Sequence, residues 1–255
     1  MDELAFHRAL FRPGTLVDAG AHDGALTLPL AALPGARVLA FEPLPQAFAR
    51  LTAALRAAYG GAVPPQVELY PQALGAAAGR MALSVPVVGG VAQEQWASLA
   101  KDYQAIRAAD PRVEAIRRVE VEVLALDSLA LPDVTAIKVD VEGAEAEMLL
   151  GAADTLRRCR PVLSVEIEER HRAGSTREVP RLLAGLGYRG FFELDGAWHD
   201  IAAFDAGTMQ RASPSPASFE ASDPYVFVFF FVPPERVAEL ATLARLDAPP
   251  GLRPY

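Results

Sequence analysis

The sequence predicts an α/β fold: a mostly parallel, seven-stranded sheet that finishes in an antiparallel hairpin and carries a helical insertion. Three observations predict it. Apolar β-type runs alternate with helical patterns from about residue 15 onward. The first run, TLVDAGAHDG at 15–24, ends on Asp18 and turns at once through Gly20 and Gly24, at the strand end where open α/β sheets collect their ligands. The last two runs are separated by DGAWHD and the Ser/Pro-rich SPSPASFEASDP, with no convincing crossover helix. Strands joined without a crossover pair antiparallel.

Strands are expected at roughly 15–18, 37–42, 66–70, 136–140, 162–168, 190–194 and 225–232. An Ala/Leu-rich helix from about 24 to 33 is stopped by Pro34-Gly35, and a longer one from about 45 to 59 is ended by Gly60-Gly61. The middle departs from this alternation. MALSV at 81–85 and VEVEVL at 119–124 read as short strands, and the polar stretch between Val87 and Arg118, with Trp96 and Tyr103, reads as a helical insertion facing the substrate. After Pro233-Pro234, ERVAELATLARL at 235–246 predicts an amphipathic helix that covers a sheet edge or a neighbouring subunit, which leaves a homodimer open.

At 255 residues with 51% hydrophobic side chains, the chain can bury a full core, and residues 1–255 are expected to form one domain. The net charge of -8 argues against nucleic acid as a partner. The single Cys159 excludes a disulfide framework, and no cluster of Cys or His offers a zinc site. MDELAFHRALFRPG carries acids and has no apolar core, unlike a signal peptide, and YVFVFFFV at 225–232 is too short for a membrane-spanning helix. The expectation is a cytoplasmic protein.

Glycines at 20 and 24 let the backbone approach a ligand beside a helix N-terminus, although a plain tight turn would look the same. VLAFEP then ends the second strand on Glu42, about 20 residues past the turn, where an acid accepts from ribose hydroxyls. Together Asp18 and Glu42 point to an adenosine-bearing ligand. A dinucleotide wants Gly-x-Gly-x-x-Gly, and Gly20-Ala21-His22 lacks the second glycine. An adenosyl amino acid fits better.

AIKVDVEGAEAEMLLGA at 136–152 carries Lys138, Asp140, Glu142, Gly143, Glu145, Leu149, Gly151 and Ala152. It resembles the K-[IV]-D-[IV]-E-G-x-E…L-x-G-A segment of the FkbM family of S-adenosylmethionine-dependent methyltransferases. VDAGAHDG, FEP, ALG at 73–75, LALDSL at 124–129 and RPVLSVEIEERH at 160–171 are similar to that family's other segments, in order, from about residue 15 to 170. The resemblance implies a Rossmann-like class I methyltransferase fold, whose parallel sheet typically ends in an antiparallel hairpin. It also implies S-adenosyl-L-methionine as cofactor, held by Asp18, Gly20, Ala21, His22, Gly24, Glu42, Pro43, Gln72, Ala73 and Asp140. The acceptor it implies is a small molecule or glycan, such as a sugar or polyketide, methylated on a hydroxyl. His22 stands where the family usually has Asn. Residues 87–118 and those after about 175 match none of its motifs.

Methyl transfer to a hydroxyl needs an acceptor held in line and a base for its proton. Asp140, ending the fourth strand, is the expected base, with Glu142 beside it. Glu145 is read as a helix-start acid that satisfies backbone amides. Lys138 is expected to pair with an acid at the sheet edge. His171 is the alternative base, since an imidazole exchanges protons near neutral pH. Glu166, Glu168 and Glu169 with Asp140 could gather oxygen ligands for a divalent metal. Strand alternation would send Glu166 and Glu168 to one face and Glu169 to the other, so a metal is the less favoured reading. An NAD-dependent oxidoreductase and a non-catalytic adenosyl-binding module are the other two classes considered.

Overall fold

A computed structural model describes residues 2–92, 111–210, 225–240 and 242. Five parallel strands make up one side of an eight-stranded sheet, from its edge inward: β3 (Val67–Tyr70), β2 (Ala36–Phe41), β1 (Gly14–Ala19), β8 (Val134–Val139) and β9 (Val162–Glu166). Beyond β9 the direction reverses. β12 (Val228–Val232) inserts antiparallel between β9 and β10 (Arg189–Leu194), and β11 (Ala197–Asp200) closes the edge.

Because β1, β8 and β9 are covered on both faces, alternate residues feed two cores. Val17, Ile137, Leu163 and Phe229 pack toward helices α4 (Glu145–Leu150), α5 (Ala153–Cys159) and α6 (Ser175–Gly185). Leu16, Ala136, Val162 and Phe230 pack toward α1 (Glu3–Ala9), α2 (Thr27–Ala31) and α3 (Pro45–Ala58). The polar exceptions, Asp18 and Lys138, share the second face.

The sheet has eight strands where the sequence reading had seven, because Asp195-Gly196 makes a two-residue hairpin into β11. Both residues have positive φ, +53° and +76°, the backbone that such a turn requires. The hairpin in the middle of the chain is also longer than expected. β5 (Gly79–Val88) and β7 (Val113–Leu124) pair antiparallel from Gly79↔Val123 to Val88↔Val113, joined at their sides by β4 (Ala73–Leu74) and β6 (Val91–Ala92). Residues 113–118 are therefore strand, not helix. Their alternation was illegible because Glu114, Ala115, Arg117 and Arg118 are all exposed or nearly so. Residues 93–110, with Trp96 and Tyr103, lie outside the described residues. Leu83, Val85, Val121 and Val123 on the inner face of this second sheet pack on Leu44 and Ala47 at the start of α3. That contact suspends the hairpin over the carboxyl edge of the main sheet.

Of the expected helix at 235–246, the described part is a 3-10 turn at Pro234–Arg236 followed by helical residues 237–240 and 242. It packs on the chain's own α1: Leu240 joins Phe6 and Leu10, and buried Arg236 donates to the Leu10 carbonyl at 2.7 Å. Among the described residues, no helix is long and apolar enough to cross a membrane.

Candidate active site

A cavity of about 350 Å³ opens at the carboxyl ends of β1, β2 and β8, within the usual range of about 300–1,000 Å³ for small-molecule sites. Its first wall is the turn after β1. Gly20 and Ala21 donate their amides to the Phe41 carbonyl at 3.0 and 2.9 Å, which clips the turn to β2. Gly20 has φ +81°, and a Cβ there would lie 1.9 Å from the Asp140 carbonyl oxygen. The glycine is required by the approach of β8 itself, before any ligand is considered. His22 follows with φ +48°, a left-handed conformation in which Asn, Asp and His are enriched among side-chain-bearing residues. Its backbone, more than its imidazole, explains the residue types suited to this position. Gly24 does not line the cavity. Its φ is +88°, and a Cβ would press on Leu28 and Leu51, so it serves the turn into α2.

Glu42, only 5% exposed, lies beside this turn on the cavity wall. Its Oε2 accepts the His22 amide at 2.9 Å and its Oε1 accepts the Leu44 amide at 2.8 Å. Burial raises its carboxyl above the usual range, with the two amides pulling the other way. Each oxygen retains a lone pair for a hydroxyl donor.

Asp18 and Lys138 form the floor. Asp18 is fully buried; Thr27 donates its hydroxyl to Oδ2 at 2.6 Å, and Oδ1 lies 3.6 Å from the Lys138 ammonium. Lys138 also donates to the Gly20 carbonyl at 2.6 Å and lies 3.3 Å from Asp140 Oδ2. Burial disfavours its ammonium, but Asp140, Asp18 and Glu3 outweigh burial and hold the proton on. The pairing with acids was anticipated, but it lies at the centre of the sheet, because β1 and β8 are neighbours there.

Asp140 itself is 31% exposed on the side chain and faces the cavity, as do Glu142, Pro43 and Ala73. Gln72 does not; its amide reaches Glu122 on β7 at 3.3 Å. Of the lining residues that escaped the sequence reading, two come from distant segments. Glu3 comes from α1, where its carboxylate accepts from Ser164 at 2.7 Å, and Ser164 in turn meets the buried His7 at 2.9 Å. Burial, with a smaller push from Lys138, lowers the His7 imidazole to about 3, so it is neutral there. Leu83 arrives from the hairpin. Neither carries a local signal, because each reaches the cavity only through packing of distant segments.

Beside the cavity is a second polar group. Both strands end earlier than expected, β8 at Val139 and β9 at Glu166, so Glu168 and Glu169 lie in a loop and alternation no longer sorts them. Glu169 turns away to α6, where its carboxylate accepts the amides of Gly174 and Thr176 at 2.6 and 3.1 Å. Glu168 is buried and bound by Arg170 at 2.6 and 2.8 Å, and by the Tyr225 hydroxyl. Burial raises the Glu168 carboxyl, but the His171 imidazole beside it and the hydrogen bonds from Arg170 overcome this and hold it low, while burial and the surrounding acids push Glu166 up. His171 is 3% exposed and absent from the cavity wall; its Nε2 lies 3.1 Å from Glu142 Oε2 and 3.0 Å from Glu168 Oε1. Any contact it has with an acceptor runs through Glu142. Glu145 is the helix-start acid anticipated, accepting the Gly143 amide at 2.7 Å, with its carboxyl raised to about 7 by burial.

The sequence model of the Methyltransferase FkbM domain matches residues 18–189, a span that includes every wall of this cavity except Glu3. The chain belongs to the FkbM methyltransferase family. The FkbM methyltransferase of Methylobacillus flagellatus KT superposes with a TM-score of 0.55 at 17% identity, covering 89% of this chain and 46% of that one. This FkbM-family chain thus spans about half the length of that neighbour, and the likeness is one of fold. Two others are more distant: a precorrin-6y C5,15-methyltransferase from Geobacter metallireducens GS-15 (TM-score 0.48, 15% identity, 90% of this chain and 84% of that one), and an rRNA-methylase-like protein from Clostridium thermocellum (0.49, 13%, 90% and 93%). No curated protein matches the sequence.

Proposed function

We infer that the chain transfers the methyl group of S-adenosylmethionine to a hydroxyl of a small molecule, sugar or polyketide-type acceptor. The observation that carries this reading is the joint presence, in one cavity, of a carboxylate locked by two backbone amides (Glu42) and a partly exposed carboxylate at the end of β8 (Asp140). The residues fit the cofactor. The lone pairs that Glu42 keeps suit the two ribose hydroxyls, and the turn at Gly20, Ala21 and His22 suits the amino-acid arm. When bound, the cofactor supplies a methyl already activated for transfer.

The chain's part is positioning and proton removal. Lys138 ties the Gly20 carbonyl to Asp18 and Asp140, so the loop and the acidic strand end are held as one unit. Asp140 accepts the acceptor's proton as the new bond forms, a contribution typically worth about 10²- to 10⁴-fold. Leu26, Phe41 and Leu83 supply apolar surface to the cavity wall.

Parallel calorimetric titrations with S-adenosylmethionine, its demethylated product, NAD and ATP test the cofactor. Binding of the first two alone is expected; binding of NAD alone would replace the reading with an oxidoreductase. Asp140→Asn keeps the shape and removes the base, so kcat in single-turnover transfer should fall about 10²- to 10⁴-fold with little change in cofactor affinity. An unchanged rate would remove Asp140 as base.

A further inference from the structure

We propose that Glu142, Glu166 and His171 form a binding site for a divalent transition-metal cation at the edge of the transfer cavity. One ligand atom from each of the three lies within 4.8 Å of the others. Donors around a cation at about 2.1 Å sit roughly 3 to 4 Å apart, so small side-chain movements close the site.

The three come from separate segments that the fold brings together. Glu142 sits just past β8 with φ +53°, Glu166 is the last residue of β9, and His171 stands in the loop before α6. His171 is the second, independent observation. It is 97% buried, with 3% exposed; its Nδ1 has no partner, and its Nε2 meets Glu142 and Glu168 at ion-pair distance without a well-formed hydrogen bond. A buried imidazole without one is costly in a fold that has no use for its lone pair. Its Nε2 is directed at the Glu142 carboxylate, 3.1 Å away. Glu168, 3.0 Å from the same nitrogen, is held by Arg170 and Tyr225, and so acts as a fixed neighbour that orients the ring instead of a ligand.

An imidazole with two carboxylates suits manganese, iron, cobalt or zinc better than calcium or magnesium, which favour oxygen alone. Three protein ligands leave coordination positions open. Because Glu142 also lines the cavity, the open side faces the place where an acceptor would lie. A cation there would coordinate the acceptor's hydroxyl oxygen and make its proton easier to lose to Asp140. This last step rests on the reading of the chain as a hydroxyl methyltransferase; the cation site does not.

The test uses the full chain, stripped with a chelator and titrated with Mn²⁺ by calorimetry and by electron paramagnetic resonance. One bound ion per chain is expected, with nitrogen modulation from the imidazole. His171→Ala should abolish the nitrogen signal, and Glu142→Gln and Glu166→Gln should each weaken Mn²⁺ by about tenfold or more. Should His171→Ala fail to fold, the part-exposed Glu142→Gln decides. Absence of stoichiometric Mn²⁺ binding, or affinity unchanged in both glutamine variants, overturns the site. S-adenosylmethionine binding without Mn²⁺ binding defeats the cation site alone, and Mn²⁺ binding without S-adenosylmethionine binding defeats the transfer reading alone.

Discussion

Two acidic regions face each other across the carboxyl edge of the sheet, and they are built by different means. At the ends of β1 and β2, Glu42 is held by the amides of His22 and Leu44, and the turn is clipped by main-chain bonds to Phe41. At the ends of β8 and β9, Glu142, Glu166 and Glu168 meet His171, Arg170 and Tyr225 through side chains. The first is a wall whose shape depends on backbone conformation. The second is a set of charges whose arrangement can respond to a proton, a cation or an acceptor. Lys138 joins the two, touching Asp18 and the Gly20 carbonyl on one side and Asp140 on the other.

If the first region is backbone-built, its glycine should be the most sensitive position. Gly20→Val places a side chain 1.9 Å from the Asp140 carbonyl oxygen at φ +81°, and should cost more than about 4 kcal/mol in chemical denaturation. Gly24→Ala meets only the ends of Leu28 and Leu51, and should cost roughly 1–3 kcal/mol. Equal losses would mean that the β1–β8 approach is not what demands the glycine.

The charges of the second region should show themselves in the pH dependence of Glu145, the buried acid next to them. Glu145 has its carboxyl raised from 4.5 to about 7 by burial, so the folded chain keeps a proton that the unfolded chain releases. Its contribution is full below about 4.5 and is lost as pH rises through about 7, on the order of 3 kcal/mol in all. Glu145→Gln still accepts the Gly143 amide but cannot titrate. The difference in unfolding free energy between wild type and variant should therefore change across that interval and be flat above it; a flat difference throughout would place Glu145 outside the titrating network.

An effect confined to binding concerns one carboxylate's ligand contacts. Glu42→Ala should weaken S-adenosylmethionine by roughly 1.5–3 kcal/mol, the scale of hydrogen bonds to a charged acceptor. Because the amides of His22 and Leu44 can turn to water, the folded state should survive. Calorimetry showing unchanged affinity would move the ribose elsewhere in the cavity.

Much of the first region was legible because it is local. Asp18, Gly20 and Glu42 fall at strand ends that apolar runs and a Gly-Pro punctuation reveal, and the E-G-x-E segment placed β8 and α4. Legibility failed wherever a residue's role depended on a partner far along the chain. Gln72 looked like a cavity residue and bonds Glu122 on the hairpin; Glu3 looked like a terminal acid and lines the cavity through Ser164, 161 residues away. The Asp195-Gly196 turn is local, but the strand after it, β11, is four residues long with no buried side chain, too little apolar pattern to mark a strand.

The sequence by itself determined the α/β class, the parallel order implied by alternating elements, and the candidate ribose acid, since these follow from periodicity and chain direction over short spans. Tertiary structure alone decided that Gly20 yields to the Asp140 carbonyl, that Lys138 bridges Asp18 and Asp140, and that Glu142, Glu166 and His171 converge. Those facts are distances between segments of separate strands and loops. Residue type and spacing constrain the direction a side chain takes from its own strand, but packing of the sheet and its helices sets what it meets.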